Sequence, residues 1–168
     1  PKTKSDIWVL PLFGDRKPTV FLQTDFSESI GRFSPDMRWI AYHSDESGRN
    51  EIYVRPFEGS GKWQISTNGG LFALWMRDGK SATRGSSFGG ELFYSSADRK
   101  LMSVEVKATG STFEVGVVKP LFELDLRGQG FLQDVTADGQ NFLVSLNRGE
   151  TSAPITLVVN WDVELKKK

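Results

Sequence analysis

The sequence predicts an all-β fold assembled from repeated short strands, and three observations predict it. A turn-and-strand signature recurs. Its clearest copy is Phe33-Ser34-Pro35-Asp36-Met37-Arg38-Trp39-Ile40-Ala41-Tyr42, a broken copy opens at Met76-Arg77-Asp78-Gly79-Lys80, and another is Thr136-Ala137-Asp138-Gly139-Gln140-Asn141-Phe142-Leu143-Val144. Four strand-like peptides beginning at Ile7, Ile52, Leu101 and Ile155 align without a gap, at intervals of 45, 49 and 54 residues. No long helical pattern competes with them, and Gly and aromatic residues punctuate the chain. Repeats of this length, each made of four short strands, are propeller blades. The chain supplies about three to three and a half of them.

With 168 residues the chain is long enough for one domain with a sizeable core. We read residues 1–168 as one repeat domain: 1–27 the outer strands of an incomplete blade, 28–66 a blade, 67–124 a blade with an insertion, and 125–168 an incomplete terminal blade. Lys+Arg and Asp+Glu both number 21, so formal net charge is zero. That balance gives no general electrostatic reason to expect nucleic acid, and it mildly favours self-association. Cysteine is absent, which excludes disulfides, thiolate catalysis and cysteine metal sites. No apolar run has the length of a membrane span, so no membrane insertion is expected. The expected setting is a soluble one, with the compartment left open by composition.

Taken in order, Ile7 to Leu12 is strand-like and Gly14-Asp15-Arg16-Lys17-Pro18 signals a turn before Thr19-Val20-Phe21-Leu22. Ser29 to Phe33 is a strand interrupted by Gly31. At Ser34-Pro35-Asp36 proline fixes φ and the Asp carboxylate can accept local backbone hydrogen bonds, which turns the chain into Trp39-Ile40-Ala41-Tyr42. Met37 stands where the copies at Asp78-Gly79 and Asp138-Gly139 have glycine. A polar hairpin loop, 44–50, leads to Glu51-Ile52-Tyr53-Val54-Arg55-Pro56, and Gly59 and Gly61 bound the turn before Lys62-Trp63-Gln64-Ile65. The cycle repeats with strands in 71–76, 92–94, 100–106 and 113–124, then 131–135, 141–144 and 155–161.

Residues 81–90 break the pattern. Removing these ten would join Asp78-Gly79-Lys80 to Glu91-Leu92-Phe93-Tyr94 and shorten the 60-residue interval from Asp78 to Asp138 to 50. The plain expectation is a surface insertion. The functional one is a binding or assembly loop, with Phe88 and Arg84 as candidate partner-binding residues.

The signature at 33–42, continued by Ser44-Asp45-Glu46-Ser47-Gly48-Arg49-Asn50-Glu51-Ile52-Tyr53-Val54, resembles the repeat of TolB-like propellers, also called the WD40-like or PD40 repeat. The ending Ala153-Pro154-Ile155-Thr156-Leu157-Val158-Val159-Asn160-Trp161 resembles the C-terminal part of larger bacterial propellers. Some of those carry a kinase domain, but this chain has no kinase motif. The resemblance implies a scaffold whose rim or tunnel binds proteins or peptides.

Closure is the physical difficulty. An arc of three and a half blades leaves apolar faces and strand edges in water, and propellers close with at least four blades. Two solutions follow. Either the chain is a piece of a longer one, or two copies complete a homodimeric ring of about six blades by strand complementation, with a collapsed three-blade monomer as the alternative to that ring.

Catalytic and metal candidates are sparse. His43 is the single histidine, so it supplies one ligand or base at most. Gly85-Ser86-Ser87-Phe88-Gly89 only superficially resembles a nucleophile elbow. Asp45 and Glu46 lack the alternating ligands of a calcium loop. Pro35, Asp36, Asp78, Gly79, Asp138 and Gly139 are read as structural turn residues, because one catalytic acid per blade is not a chemical requirement. The five Trp residues are read as packing. No cofactor or metal site is implied. The expected function is a non-enzymatic scaffold for self-assembly and protein or peptide binding; the alternatives are a carbohydrate or peptide hydrolase with its site in an assembled tunnel, and a purely structural fragment.

Overall fold

The computed structural model describes residues 4–76, 88–124 and 130–146, and of Phe88 the backbone alone. Among the described residues the chain is all-β. A hairpin of β1 (Ile7–Val9) and β2 (Thr19–Leu22) comes first. Two four-stranded sheets follow: β3 (Glu28–Phe33), β4 (Trp39–Ser44), β5 (Glu51–Pro56) and β6 (Trp63–Gln64), then β7 (Gly70–Trp75), β8 (Phe88–Ser96), β9 (Lys100–Thr109) and β10 (Thr112–Glu123). A second hairpin, β11 (Phe131–Val135) with β12 (Phe142–Ser145), ends the described chain. Each strand pairs antiparallel with its sequence neighbour inside its sheet. No helix among the described residues is long and apolar enough to cross a membrane.

The sheets stack face to face in chain order, which makes the fold a partial propeller. Because side chains alternate across a strand, a sheet between two others must be apolar on both faces. β4 meets this demand: all six of its residues are buried. Tyr42 and Tyr53 pack with Leu22, Ile7 and Phe21 of the first hairpin. On the opposite face, Trp39, Ala41, Ile52 and Val54 join Ala73, Trp75, Leu92, Val104 and Val106 of the next sheet. That sheet's other face, with Leu74, Phe93 and Leu101, packs on Leu132 and Val135 of the last hairpin. The first strands of successive sheets touch, β3 with β7 and β7 with β11, so these strands run innermost.

The register is the same from sheet to sheet. Ile7, Ile52 and Leu101 hold equivalent places, and each faces the following sheet. Their neighbours Tyr53 and Met102 face the preceding one. The step between the two full blades is tight. A Cβ on Gly70 would lie 2.5 Å from Ser66 Oγ, and one on Gly69 2.6 Å from the Ala97 methyl. The buried Glu51 carboxylate ties this step down by accepting hydrogen bonds from Ser66 Oγ and, at 2.8 Å, from Gly69 N–H.

Two features depart from the sequence reading. Of the segment 81–90, residues 88–90 belong to β8 and pair with Ala108, Lys107 and Val106. The reason is the length of β9 and β10: their hairpin runs past the blade to a turn at Gly110, and its edge backbone needs a partner. Second, the extended hairpin acts as an arm. It carries Phe113 into the tryptophan cluster of the preceding interface, with ring centroids 4.8 Å from Trp39, 5.5 Å from Trp63 and 6.4 Å from Trp75. The strand-like residues 155–161 lie outside the described residues.

Candidate functional site

The Asp36 turn builds one end of a cleft shared by the two full blades. Met37 N–H donates to Ser34 C=O at 2.9 Å and Ser34 N–H to Trp39 C=O at 2.8 Å, closing a tight hairpin. Inside it, Asp36 Oδ1 accepts from Ser34 Oγ at 2.6 Å and from Arg38 N–H at 3.2 Å. Trp39 N–H donates to Ser34 Oγ at 3.0 Å. Pro35 occupies the corner of this turn, half-buried. Met37 takes φ of 62°, the left-handed region that favours glycine. Asp36 Oδ2 also accepts from Arg38 Nε at 2.7 Å, an ion pair whose carboxylate is buried. Arg38 Nη1 in turn reaches Gly110 C=O at the tip of the arm, at 3.3 Å.

Arm, turn and the β5–β6 loop enclose a cleft of about 710 Å³. Its walls are Met37, Arg38, Trp39, Pro56, Phe57 and Trp63, its rim the loop Glu58-Gly59-Ser60-Gly61 and the arm tip Gly110-Ser111. Trp39 and Trp63 meet edge to face at 5.4 Å. The Trp39 indole N–H is covered and has no acceptor among the described residues. Gly61 is required where it stands: at φ of 130°, a Cβ would come within 2.7 Å of the Trp63 ring. The cleft is aromatic and concave, and two blades contribute to it.

The other residues singled out by sequence fall in different places. Asp138 and Gly139 form a copy of the Asp36 turn. Asp138 Oδ1 accepts from Thr136 Oγ1 at 2.6 Å and Gln140 N–H at 3.0 Å, Asn141 N–H donates to Thr136 Oγ1 at 3.0 Å, and Gly139 has φ of 69°. The Thr136 hydroxyl and Gln140 amide hold the Asp138 carboxyl below its usual range. A further copy, Ser96-Ala97-Asp98-Arg99-Lys100, joins β8 to β9: Asp98 accepts from Ser96 Oγ at 2.5 Å, and Arg99 has φ of 60°. Sequence reasoning missed it because it carries neither the proline of the Asp36 turn nor the glycine of the Asp138 turn; the Ser-x-Asp spacing shared with Ser34 and Asp36 was the available signal. Asp78, Gly79 and Arg84 lie outside the described residues, as does the Phe88 side chain.

His43 sits across the β3–β4 pair from Ser29, with Ser29 Oγ and His43 Nε2 2.6 Å apart. Nδ1 is buried without a partner among the described residues, which supply the pair no third group to orient the imidazole. Burial lowers the His43 pKa. Asp45 and Glu46 are engaged by cations: Asp45 Oδ2 with Lys4 Nζ at 2.6 Å, and Glu46 with Lys62 Nζ, also at 2.6 Å. No group of three or more potential metal ligands occurs among the described residues.

No protein-family model matches the chain, and no curated protein matches it. Among solved structures it is similar to one assigned as TolB from Agrobacterium tumefaciens, with 20% identity, 70% of this chain and 42% of that one covered, and a TM-score of 0.40. It is also similar to TolB from Acinetobacter baumannii, with 17% identity, 79% and 41% covered, and a TM-score of 0.36. The chain thus spans about two fifths of the length of these structures. At such TM-scores the fold class rests on the sheets themselves: all-β, antiparallel, and stacked as the blades of a partial propeller.

Proposed function

We propose that this chain is a non-enzymatic propeller scaffold that pairs with a second copy of itself and binds protein or peptide segments. One observation carries the pairing. Trp8 holds the register place at which Tyr53 is buried by the preceding sheet, yet Trp8 is 52% exposed. Its cross-strand partner Val20 is 48% exposed. At the other end, counting from the turn aspartates, Leu143 matches Ala41, which the following sheet covers completely; Leu143 is 59% exposed. Each terminal hairpin therefore has one apolar face prepared for a sheet that the described residues of a single copy do not provide. The described sheets hold two, four, four and two strands. Joining β11 and β12 of one copy to β1 and β2 of another, with β1 taking the register place that the sequence reading gives to 155–161, would make a four-stranded blade at each junction, and two copies would make a ring of six.

Light scattering coupled to size-exclusion chromatography, over a concentration series, tests this. The expected mass is twice 18.8 kDa. Trp8→Lys, which places a charge on the junction face, is expected to return the mass to that of one chain while the β-sheet circular dichroism persists. A wild-type protein that is folded and monomeric across the series refutes the pairing.

A further inference from the structure

We propose that the cleft between the β5–β6 loop and the β9–β10 arm is a subsite for a basic side chain of a bound peptide, with arginine the best fit. The proposal rests on the scaffold reading and names the chemistry that its binding surface selects. Charge within the cleft favours a cation. Arg38 is offset by the buried Asp36 carboxylate at 2.7 Å, and its Nη1 is turned to the arm. Lys62, the nearest lysine in sequence, is drawn away: its ammonium binds both Glu46 oxygens, at 2.6 and 2.8 Å, and lies 5.4 Å from the Tyr53 ring centre. Glu58 remains, an exposed carboxylate on the rim with no ion-pair partner among the described residues.

The walls suit the same ligand. Phe57 and Trp63 present aromatic surface, whose electron-rich faces attract cations, guanidinium more often than ammonium. A guanidinium stacks on an aromatic plane while its edge pairs with a carboxylate, and its methylene stem covers apolar surface such as Met37 and Pro56. A volume near 710 Å³ accommodates the side chain together with flanking backbone. An acidic side chain would meet Glu58 in the same space and be repelled.

The test is a titration of the full chain, ¹⁵N-labelled, with N-acetyl-arginine amide and separately with its neutral isostere N-acetyl-citrulline amide. The readout is the Trp63 indole resonance and the Gly59 and Gly61 amides. The expected result is that the arginine probe shifts these signals and binds about tenfold more tightly than the citrulline probe. Glu58→Gln, an exposed substitution that breaks no hydrogen bond of the fold, is expected to abolish the difference. Equal binding of the two probes, perturbation that bypasses Trp63, or an unchanged preference in Glu58→Gln each overturns the proposal. The cleft lies within one copy, so the two readings fail separately. A dimer without arginine preference removes this inference alone, and a monomer with the preference removes the ring alone.

Discussion

Truncating Phe113 is the sharpest probe of how the two full blades hold together. The side chain is 3% exposed and is surrounded by Trp39, Trp63 and Trp75. Phe113→Ala removes a buried aromatic ring for which the usual loss is about 3–5 kcal/mol, transfer and cavity terms together. Aromatic pairs add about 0.5–1.5 kcal/mol each beyond area, so a loss in the upper half of that range is expected if the cluster cannot collapse. With a urea m-value of about 2 kcal/mol/M, a loss of about 4 kcal/mol moves the unfolding midpoint by about 2 M. Phe113→Leu keeps much of the volume but loses the aromatic pairing, and is expected to cost about 2 kcal/mol, less than Phe113→Ala. Urea denaturation followed by tryptophan fluorescence and by far-UV circular dichroism measures both. A loss below about 1 kcal/mol for Phe113→Ala would refute the reasoning, because it would mean that the arm does not bury its ring against the preceding blade.

Three further outcomes are expected. Arg99→Gly relieves a left-handed residue at about 1–2 kcal/mol but adds unfolded-chain entropy worth about 0.5–1 kcal/mol, so thermal unfolding should show a small net gain, up to about 1.5 kcal/mol. Asp36→Ala strips acceptors from the Ser34 hydroxyl and from Arg38 in a buried turn and should cost about 1–3 kcal/mol, whereas Asp138→Ala in the exposed copy should cost visibly less in the same denaturation series. His43, the single histidine, is held neutral by burial with its pKa below the ordinary 6.5. The unfolded chain takes up that proton first, so stability is full above pH 6.5 and declines as pH falls from there to the folded pKa; His43→Gln should flatten the decline between pH 7.5 and 5.5.

The blade from Glu28 to Gln64 was largely legible because every local signal agrees there: a proline-aspartate turn, alternating β-branched and aromatic residues, and a polar loop at 44–50. The equivalence of Ile7, Ile52 and Leu101 was legible for the same reason, since a two-residue period fixes which face each side chain takes. What sequence did not carry was contact between blades. Nothing local marks Phe113 as the partner of Trp39, because that contact depends on how far the β9–β10 hairpin overshoots its sheet. The length of β8 was hidden likewise: Gly89-Gly90 has poor strand propensity, and it is the unpaired edge of β9 that recruits Phe88-Gly89-Gly90. The cleft was invisible because Glu58 and Trp63 meet Gly110 and Ser111 only after both blades stack.

The overshooting hairpin also bears on modularity. A blade that touches its neighbours only through sheet faces behaves as one link in a nearest-neighbour array, and such links can fray or be exchanged one at a time. Here one link reaches across the boundary and places its own ring inside the interface it shares with the link before it. The coupling between the two full blades is thereby raised relative to that at either terminal hairpin. Unfolding should begin at the ends and then take both central blades in one step. Grafting either central blade alone into another array would leave the tryptophans of the first, or the phenylalanine of the second, without its counterpart.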